Sequence, residues 1–530
     1  MLQDLQKLKA FLTRADYEQL KDEGHSIEHL ADQIKIFELG LSPIILNRAA
    51  KINDGIKSFK EEQVLNYCRI FDEQIKYKSV IKFTPASGAA SRMFKELQNF
   101  YKENKSSTIN DLKSKASLNK NYACILEFVL NIKKFAFYEE LNSLAKKNNE
   151  SVSSLISENK IRELIELVIS SGGLNYANLP KGEIKFHRYL NVSRTAFEEH
   201  LVEAMGYAQN LSGEIKIQFT IPEESQQRLF DLFEQIINNY KSRGLNFSIS
   251  TSFQNKSTDT LAVDLNNNPF RDSNGKLLFR PAGHGALLQN LNEIDEDIIF
   301  IKNIDNISPE YLHPQTVKYK KFLGGILIEV QNQIFNYINK IVSDNVTGNE
   351  LQEVENFSAE ILSITFPPGY NDLDINSKAK YLFDKLNRPL RVCGMVVNEG
   401  HPGGGPFWIE DDDRTQSLQI IESAQIDLNN EKQMLIFNSS THFNPVDIVC
   451  SIKDYNGNKF NLQKFSNPST GLIAMKSKDG RELKSFELPG LWNGSMHYWN
   501  TIFVEVPKIT FNPVKEVNDL LKAEHQPKIG

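Results

Sequence analysis

A run of very small residues stands between an apolar segment, Val80 to Phe83, and a segment whose apolar residues recur at helical spacing. Small side chains leave the backbone uncovered, so that its N–H groups can approach a ligand closely. A helix starting just after them would direct free N–H groups and its positive dipole end at the same ligand. Arg92 and Lys95 add two full positive charges. We therefore interpret this loop as a polyphosphate cradle, made of Ser87, Gly88, Ala89, Ala90 and Ser91.

A simpler interpretation of the loop stays open. Its small side chains would let a strand and a helix pack closely, and its two charges would be solvated. The spacing matches neither the P-loop, GxxxxGK[ST], nor the dinucleotide fingerprint GxGxxG, because the loop contains a single glycine.

A carboxylate follows a strand that is predicted to be buried on both faces. Asp305 comes just after the continuous apolar run Ile298 to Ile301, and parallel sheets bind ligands beyond the carboxyl ends of their strands. Asp305 is the best candidate for a metal ligand, and Asn303 and Asn306, which flank it, could orient it or contact a ribose; the Gly-His-Gly segment upstream favours this interpretation. The alternative is an Asx-turn that ends the strand.

Two more segments have residue types that could contact a nucleotide. Gly283 and Gly285 flank His284, and two glycines let the backbone approach a flat base or a ribose. Gln254 could read a base edge through its amide. The alternatives are a turn ahead of a helix with an exposed histidine, and an ordinary polar loop residue.

Composition limits the classes of function. The chain has 530 residues, of which 40% are hydrophobic and 24% charged, and a formal net charge of -6. This charge gives no electrostatic basis for binding nucleic acid. Four scattered cysteines without a CxxC pair argue against a disulfide framework or a zinc site. Without a signal-peptide pattern or a long apolar run, we expect a cytoplasmic protein with no membrane partner.

Strands alternating with helices predict an α/β fold with helices on both faces of its sheet. Residues 1–75 are predicted to form a helical region, and residues 76–530 an α/β domain with a helical insertion at about 99–178. The strands after the insertion are predicted at Ile215–Phe219, Leu245–Ser252, Ile298–Ile301, Val392–Val397 and Met434–Phe437. The loops that follow these strands are where chemistry is expected.

Several segments, in order, resemble the motifs of sugar-nucleotide-forming nucleotidyltransferases of the UDP-sugar pyrophosphorylase type. PASGAASRM resembles their glycine-rich signature loop, with Ser87 and Ala90 where that loop has glycine. LPKGEIKFHRY resembles their Pro-Lys segment, RPAGHGALLQNL their Gly-His-Gly motif and IFIKNIDNI their strand ending in Asn-x-Asp-Asn. SFQNKSTDT, IFNSSTHF and TFNPVKEVNDLLKAEHQ are similar to three further segments. The whole chain also resembles an uncharacterised bacterial family, domain of unknown function 4301.

The resemblance implies a Rossmann-like, GT-A-like nucleotide-diphospho-sugar transferase fold with a mixed sheet. It implies attack by a sugar 1-phosphate on the α-phosphorus of a nucleoside triphosphate, with Mg²⁺ as cofactor. Arg92 would hold the β- and γ-phosphates, and Lys181, or alternatively Lys185, would bridge the phosphates. Lys515 would bind the sugar phosphate, and Asp305 the metal ion.

The resemblance also suggests where the sugar binds. NEGHPGGGPFWIEDDDR, from Asn398, would be a mobile lid that brings Asp411 to Asp413 near the metal, or a flexible hairpin with a solvated acidic tip. The candidate sugar-binding residues are Gly404, Glu422, Asn438 and Asn500.

Two other functions stay open at this stage. One is a glycosyltransferase on the same fold, which would need neither Arg92 nor the Pro-Lys segment. The other is a catalytically inactive protein that binds a nucleotide or a nucleotide-sugar. The residues do not specify the base, the sugar, the second metal ligand or the oligomeric state.

Overall fold

The computed structural model describes residues 2–103, 107–343, 346–400, 403–411 and 413–528. The helices are α1 (Leu2–Phe11), α2 (Arg14–Glu23), α3 (Ile27–Leu39), α4 (Glu61–Gln74), α5 (Lys95–Glu103), α6 (Ile109–Ala116), α7 (Lys120–Leu130), α8 (Tyr138–Lys147), α9 (Val152–Ser157), α10 (Ile161–Ile169), α11 (Ala196–Ala204), α12 (Gln226–Lys241), α13 (Leu287–Glu293), α14 (His313–Val342), α15 (Gly348–Glu360), α16 (Ile375–Leu386) and α17 (Glu431–Asn438).

The strands are β1 (Leu46–Ala49), β2 (Lys51–Ile52), β3 (Gly55–Lys57), β4 (Val80–Pro85), β5 (Lys185–Arg188), β6 (Ser193–Thr195), β7 (Glu214–Ile221), β8 (Asn246–Phe253), β9 (Thr260–Leu261), β10 (Phe279–Arg280), β11 (Ile298–Lys302), β12 (Leu390–Val397), β13 (Gly405–Glu410), β14 (Gln416–Ile421), β15 (His442–Phe443), β16 (Asp447–Ser451), β17 (Leu472–Lys478), β18 (Arg481–Glu487) and β19 (Asn500–Glu505). The predicted α/β class with a mixed sheet is confirmed.

The chain divides into two compact units. The first comprises Met1–Gln74, Gln254–Phe300 and Phe322–Val506, and the second comprises Ile75–Phe253, Ile301–Lys321 and Pro507–Gly530. Each unit is therefore built from segments that are distant in sequence. Whether residues 1–75 and 76–530 fold as separate domains stays a prediction.

A mixed sheet forms the centre of the first unit. Its strands β2, β3, β19, β12 and β16 are neighbours in this order. Strand β12 runs parallel to β19 and antiparallel to β16. Strand β12, LRVCGMVV, buries every residue except the last, as an apolar run covered on both faces should. A separate antiparallel sheet in this unit joins β1, β13 and β14.

Three parallel strands, β4, β7 and β8, organise the second unit. Strand β7 alternates buried and half-buried residues before a fully buried end at Ile221, and Pro222 then begins a helical turn. Helices α5 to α10 follow β4, so the segment predicted as a helical insertion is helical. The predicted strands near residues 215, 245, 298 and 392 are likewise present.

The predicted strand Met434–Phe437 is wrong, because these residues belong to helix α17. Four apolar residues in a row do not distinguish a strand from a buried helical turn. The start of α17 is set by Asn430, whose side chain accepts a hydrogen bond from the N–H of Gln433.

Two other expectations differ from the structure. The N-terminal region contains strands β1 to β3 as well as four helices. Residues 405–410, part of the segment interpreted as a mobile lid, form strand β13 and are buried except for Glu410. Strand β13 is paired on both sides, so this part is core rather than lid. Within the described residues, no helix combines the length and apolar character needed to span a bilayer.

Candidate functional site

The loop of small residues, Ser87 to Ser91, leaves strand β4 and is held at both ends by backbone hydrogen bonds. The N–H of Ala86 donates to the carbonyl of Thr220 at 2.9 Å, and the N–H of Ala90 donates to the carbonyl of Leu179 at 2.9 Å. The N–H of Lys181 donates to the carbonyl of Gly88 at 3.2 Å. Two segments that the sequence analysis treated as separate motifs, the small-residue loop and the Pro-Lys segment, are therefore in contact.

The middle of the loop presents bare backbone. Among the described residues, none accepts a hydrogen bond from the N–H of Ser87, Gly88 or Ala89. A Cβ built on Gly88 would meet no atom within 4 Å, and its φ lies outside the left-handed region. Neither packing nor backbone strain therefore requires glycine at this position, and the space above it is open to a ligand.

The two cations after the loop are accessible. Arg92 and Lys95 are exposed, and neither forms an ion pair with any residue that the structure describes. Residues Ala90–Arg92 form a 3₁₀ turn, and helix α5 begins only at Lys95. The helix start is thus later than predicted, so the free N–H groups nearest a ligand belong to the loop rather than to α5.

Three segments converge on Asp305. The Nζ of Lys181 donates to Asp305 Oδ2 at 3.1 Å, and the Nζ of Lys515 donates to the same oxygen at 3.0 Å. Lys181 also donates to the carbonyl of Val514 at 2.8 Å. The N–H of Val514 returns a hydrogen bond to the carbonyl of Asp305 at 2.9 Å. We refer to Lys181, Asp305 and Lys515 as the Asp305 cluster.

The cluster is partly shielded from solvent and has an excess positive charge. The side chains of Lys181 and Asp305 are 13% and 14% exposed, while that of Lys515 is 57% exposed. Burial alone would raise the pKa of Asp305, but the Lys181 and Lys515 ammonium groups outweigh burial and hold that pKa below its usual value. Burial lowers the pKa of Lys181, against the attraction of Asp305. Two cations thus share one carboxylate, an arrangement that favours an additional anion.

The donor set around Asp305 permits one metal contact. Its Oδ1 accepts no hydrogen bond from the described residues, whereas Oδ2 accepts two. Among these residues no group of three His, Cys, Asp or Glu side chains that could hold a metal ion occurs. Magnesium is commonly held by one or two carboxylates together with substrate phosphates. Asp305 Oδ1 fits such a role, as a single ligand to a metal that a polyphosphate carries.

The asparagines beside Asp305 differ in their contacts. The buried Asn306 accepts a hydrogen bond at Oδ1 from the N–H of Asn512, at 2.9 Å, and its own N–H donates to the carbonyl of Asn303. Asn306 thus fastens the turn to the segment that carries Lys515, while Asn303 is half-buried. Their predicted contacts with substrate stay predictions.

Lys185, the alternative to Lys181, lies elsewhere in the second unit. Its Nζ forms an ion pair with Glu140 at 2.7 Å. Lys181 reaches Asp305 and Lys185 does not; the predicted phosphate-binding role of either lysine stays a prediction.

The Gly-His-Gly segment lies in the first unit and makes dense internal contacts. The ring of His284 stacks on Trp492 with centroids 4.1 Å apart, and its Nδ1 accepts a hydrogen bond from the N–H of Leu491 at 3.0 Å. Burial lowers the pKa of His284 to about 4, so the ring is neutral at physiological pH. A Cβ on Gly285 would lie 2.2 Å from the carbonyl oxygen of Pro489. The chain itself therefore requires this glycine, whatever the segment binds.

The remaining candidates also lie in the first unit. Gln254 donates to Asp259 at 3.4 Å, and Gly283 has a φ of 74°. Glu422, whose pKa is raised by burial, accepts a hydrogen bond from Asn493 at 3.3 Å.

Gly404 packs against Ile420, where a Cβ would approach a side-chain carbon to 2.6 Å. Asn438 is exposed at the end of α17. Asn500 is buried, and its Nδ2 donates to the carbonyl of Leu386 at 3.1 Å. The contact of Asn500 anchors the end of helix α16.

The sequence analysis missed a pair of ionisable residues that the fold brings together. His497 Nε2 lies 3.0 Å from Asp411 Oδ1, although 86 positions separate them. Asp413 contacts Lys385 at 3.5 Å, and Asp412, the third member of the acidic run, lies outside the described residues. The acidic run is the signal in the sequence, and the two interpretations given for it, a mobile lid near the metal and a hairpin with a solvated tip, do not include this contact.

Comparisons with known proteins place the chain in a family. A model of the family described as Domain of unknown function (DUF4301) matches residues 13–526. No curated protein matches the sequence significantly. Among solved structures, the chain is similar to a mutant UDP-glucose pyrophosphorylase from Leishmania major, at 10% identity over 97% of this chain and 80% of that one, with a TM-score of 0.44.

It is also similar to the uridine diphosphate N-acetylglucosamine pyrophosphorylase from Trypanosoma brucei, at 12% identity over 97% and 78% of the two chains, with a TM-score of 0.47. A UDP-glucose phosphorylase from Trypanosoma brucei is 11% identical over 97% and 80% of the chains, with a TM-score of 0.42.

Proposed function

We propose that this chain, which belongs to the family described as Domain of unknown function (DUF4301), transfers a nucleotidyl group from a nucleoside triphosphate to a sugar 1-phosphate or a similar phosphate. An oxygen of the acceptor phosphate forms a bond to the α-phosphorus. The bond from that phosphorus to the bridging oxygen of the β-phosphate breaks, and pyrophosphate leaves with the electron pair. The proposal depends above all on one observation: Lys181 and Lys515 meet at Asp305.

Polyanion alignment and charge neutralisation are the main requirements of this chemistry. The N–H groups of Ser87, Gly88 and Ala89 bind phosphate oxygens. They are available to do so, because no described group accepts a hydrogen bond from them. Arg92 is exposed and unpaired within the described residues, so its guanidinium folds onto the β- and γ-phosphates with two parallel hydrogen bonds.

The Asp305 cluster provides the second group of cations. Lys181, held between Asp305 and the carbonyl of Val514, faces the phosphates as a positioned charge, and the more exposed Lys515 binds the acceptor phosphate. A Mg²⁺ ion carried by the triphosphate, with Asp305 Oδ1 as one ligand, would neutralise part of the phosphate charge.

The first test is thermal unfolding of the full chain with each common nucleoside triphosphate, with and without Mg²⁺. A ligand at about a hundred times its dissociation constant adds about 2.7 kcal/mol of stability. We expect one triphosphate to stabilise the protein, and Arg92→Gln to reduce the effect. Arg14→Gln, at a side chain that is 95% exposed in the first unit, is the matched control. Stabilisation by no triphosphate would contradict the proposal.

The second test identifies the acceptor. With the stabilising triphosphate and Mg²⁺, pyrophosphate release is measured over a panel of sugar 1-phosphates. We expect release with one acceptor class, and Asp305→Asn to remove the Mg²⁺ dependence of nucleotide binding. If nucleotide binding in Asp305→Asn keeps the same response to Mg²⁺ as wild type, Asp305 is not a metal ligand.

A second candidate function is nucleotide binding without turnover. It is favoured by the engagement of Asp305 Oδ2 with two lysines and by the lack, among described residues, of a larger metal-binding group. This function predicts stabilisation by a triphosphate that Mg²⁺ does not alter, and no pyrophosphate release with any acceptor.

A further inference from the structure

Helix α11 in the second unit carries two polar side chains, His200 and Glu203, that are both 0% exposed. Glu203 Oε1 accepts a hydrogen bond from Lys82 Nζ at 2.9 Å, and its Oε2 accepts one from Lys302 Nζ at 2.6 Å. The hydroxyl of Tyr207 also donates to Oε1, at 2.9 Å. We refer to Lys82, Glu203 and Lys302 as the Glu203 network.

The Glu203 network holds ionisable groups in the core. Lys82 and Lys302 are 0% and 1% exposed. Burial alone would raise the pKa of Glu203, but Lys302 and Lys82 outweigh burial and hold that pKa well below its usual value, so Glu203 is a carboxylate. Burial, together with Lys302 and the buried Lys320 of α14, lowers the pKa of Lys82 to about 7 against the attraction of Glu203.

The network joins the two segments that carry the proposed transferase site. Lys82 lies in strand β4, which leads into the small-residue loop. Lys302 is the last residue of β11, three positions before Asp305. The two oxygens of Glu203 therefore tie the strand before the polyphosphate cradle to the end of the strand before Asp305.

The turn that contains Asp305 is fastened to the same helix by a second contact. His200 Nε2 lies 3.1 Å from the carbonyl oxygen of Ile304. A carbonyl only accepts hydrogen bonds, so Nε2 carries the proton and donates. Lys82 Nζ in turn donates to the carbonyl of His200 at 2.9 Å. Helix α11 thus contacts the residue directly before Asp305 as well as the strand that leads into the cradle.

Stability alone does not account for a buried network of this kind. Replacing a buried ion pair by apolar residues of similar volume is often neutral or stabilising, because the charges no longer have to be desolvated. Directed hydrogen bonds provide what apolar contacts do not, a fixed position for each residue that they join. Groups that bind or react must be held within about 0.5 Å of the productive geometry.

We propose that Glu203 and His200 are positioning residues of the proposed transferase site, and the inference rests on that function. From helix α11 they hold the polyphosphate cradle and Asp305 at the relative position that one polyphosphate requires. Neither side chain touches the substrate, since both are 0% exposed. They act through Lys82, through Lys302 and through the backbone of Ile304.

The test is calorimetric titration of the full chain with ATP, GTP, CTP and UTP in turn, each with Mg²⁺, well below the melting temperature of every variant. The triple variant Lys82→Met/Glu203→Gln/Lys302→Met removes all three charges together, and the new amide still accepts from the Tyr207 hydroxyl. We expect the triphosphate that wild type binds to bind this variant at least about tenfold more weakly, as when a group that orients a ligand-binding carboxylate is lost.

Glu199→Gln is the matched control. Glu199 also lies on α11 and is 0% exposed, but its Oε1 contacts His187 Nδ1 at 3.1 Å and the Tyr189 hydroxyl at 2.6 Å. This variant should bind triphosphate as wild type does, even where its stability changes. His200→Phe, which keeps a ring and removes the bond to Ile304, is measured beside the triple variant and should also bind more weakly. It keeps the test decisive if the triple variant does not fold.

A double-mutant cycle separates positioning from a general loosening of the core. In Asp305→Asn the positioned group is itself altered, so the triple substitution, or His200→Phe, should reduce triphosphate affinity by a clearly smaller factor than it does in wild type. Equal factors in both backgrounds, or wild-type affinity in the triple variant and in His200→Phe, would overturn this inference alone. A wild type that binds none of the four triphosphates would overturn the proposed function, and this inference with it.

Discussion

Replacing Gly88 by alanine should separate stability from ligand binding. Gly88 has an ordinary backbone conformation, and a Cβ there would meet no atom within 4 Å. Alanine restricts the unfolded chain and leaves the native contacts intact, so we expect a gain of about 0.4–1 kcal/mol. In a unit of this size the gain corresponds to a rise in melting temperature of roughly 1–4 °C.

The same methyl group should weaken triphosphate binding. It would project into the open space in front of the backbone, where phosphate oxygens would meet the N–H groups of Gly88 and Ala89. Loss of one hydrogen bond to a charged group costs about 1.5–3 kcal/mol, which is about a tenfold to 150-fold weaker affinity. Calorimetric titration with the stabilising triphosphate measures the affinity, and thermal unfolding without ligand measures the stability.

Gly348 provides the control for this experiment. It also has an ordinary backbone conformation with no atom within 4 Å of a built Cβ, and it lies at the start of α15 in the first unit. Gly348→Ala should stabilise the protein without changing triphosphate affinity. If Gly88→Ala is stabilised and binds triphosphate as tightly as wild type, the loop is a packing turn and the polyphosphate cradle is refuted.

Three further predictions concern substitutions of single residues. Lys181→Gln should weaken triphosphate binding by about tenfold or more in calorimetric titration, while Lys185→Gln, which breaks only the ion pair with Glu140, should not. Gly285→Ala should lower the free energy of unfolding in denaturant by about 1–3 kcal/mol or more, because its Cβ would lie 2.2 Å from a backbone oxygen; unchanged stability would mean that this contact relaxes freely. Burial, opposed by the attraction of Glu203, lowers the pKa of Lys82 in the folded protein to about 7. Between pH 7 and the higher pKa of Lys82 in the unfolded chain, the unfolded chain therefore binds more protons than the folded protein. The free energy of unfolding should rise with pH over this range. Lys82 contributes at most about 1.4 kcal/mol per pH unit to the slope of the free energy of unfolding against pH. In urea unfolding at several pH values, the slope for Lys82→Met should be smaller than that for wild type by this contribution. Equal slopes would contradict the lowered pKa of Lys82.

The second unit was the part most accessible to sequence reasoning. Strand β4 is recognisable in the sequence as an apolar run that ends before the small residues from Ser87, and β11, which ends in this unit, as the apolar run before Asp305. Since parallel strands place their carboxyl ends at one edge, the loop residues of different strands could be expected to meet. The contact of Asp305 with Lys515 joins the loop after β11 to the segment after β19. Lys181 lies between helix α10 and strand β5, so its contact with Gly88 does not follow from this rule.

Properties that depend on distant contacts could not be predicted. The need for glycine at residue 285 arises from the carbonyl of Pro489, more than two hundred positions away, so the sequence motif alone suggested a ligand instead. The short run Met434–Phe437 carried no period that separates a helix from a strand. His497 and Asp411 are 86 positions apart, and only the fold joins them.

The geometry of the Asp305 cluster bears on how a polyanion would enter it. An ammonium group has three N–H donors. Lys181 uses one for Asp305 and one for the carbonyl of Val514, and Lys515 uses one for Asp305. One donor of Lys181 and two of Lys515 therefore stay available within the described contacts. Phosphates can bind these donors while both lysines keep their contact with Oδ2.

Because the lysines need not release Asp305, its carboxylate can serve two purposes at once. Through Oδ2 it positions the two ammonium groups, whose mutual repulsion would otherwise drive them apart. If the proposed function holds, Oδ1, which accepts no hydrogen bond from the described residues, would bind a metal that arrives with the triphosphate. The cluster would then hold its cations in place before the substrate enters, so that little reorganisation accompanies the development of charge on the leaving pyrophosphate.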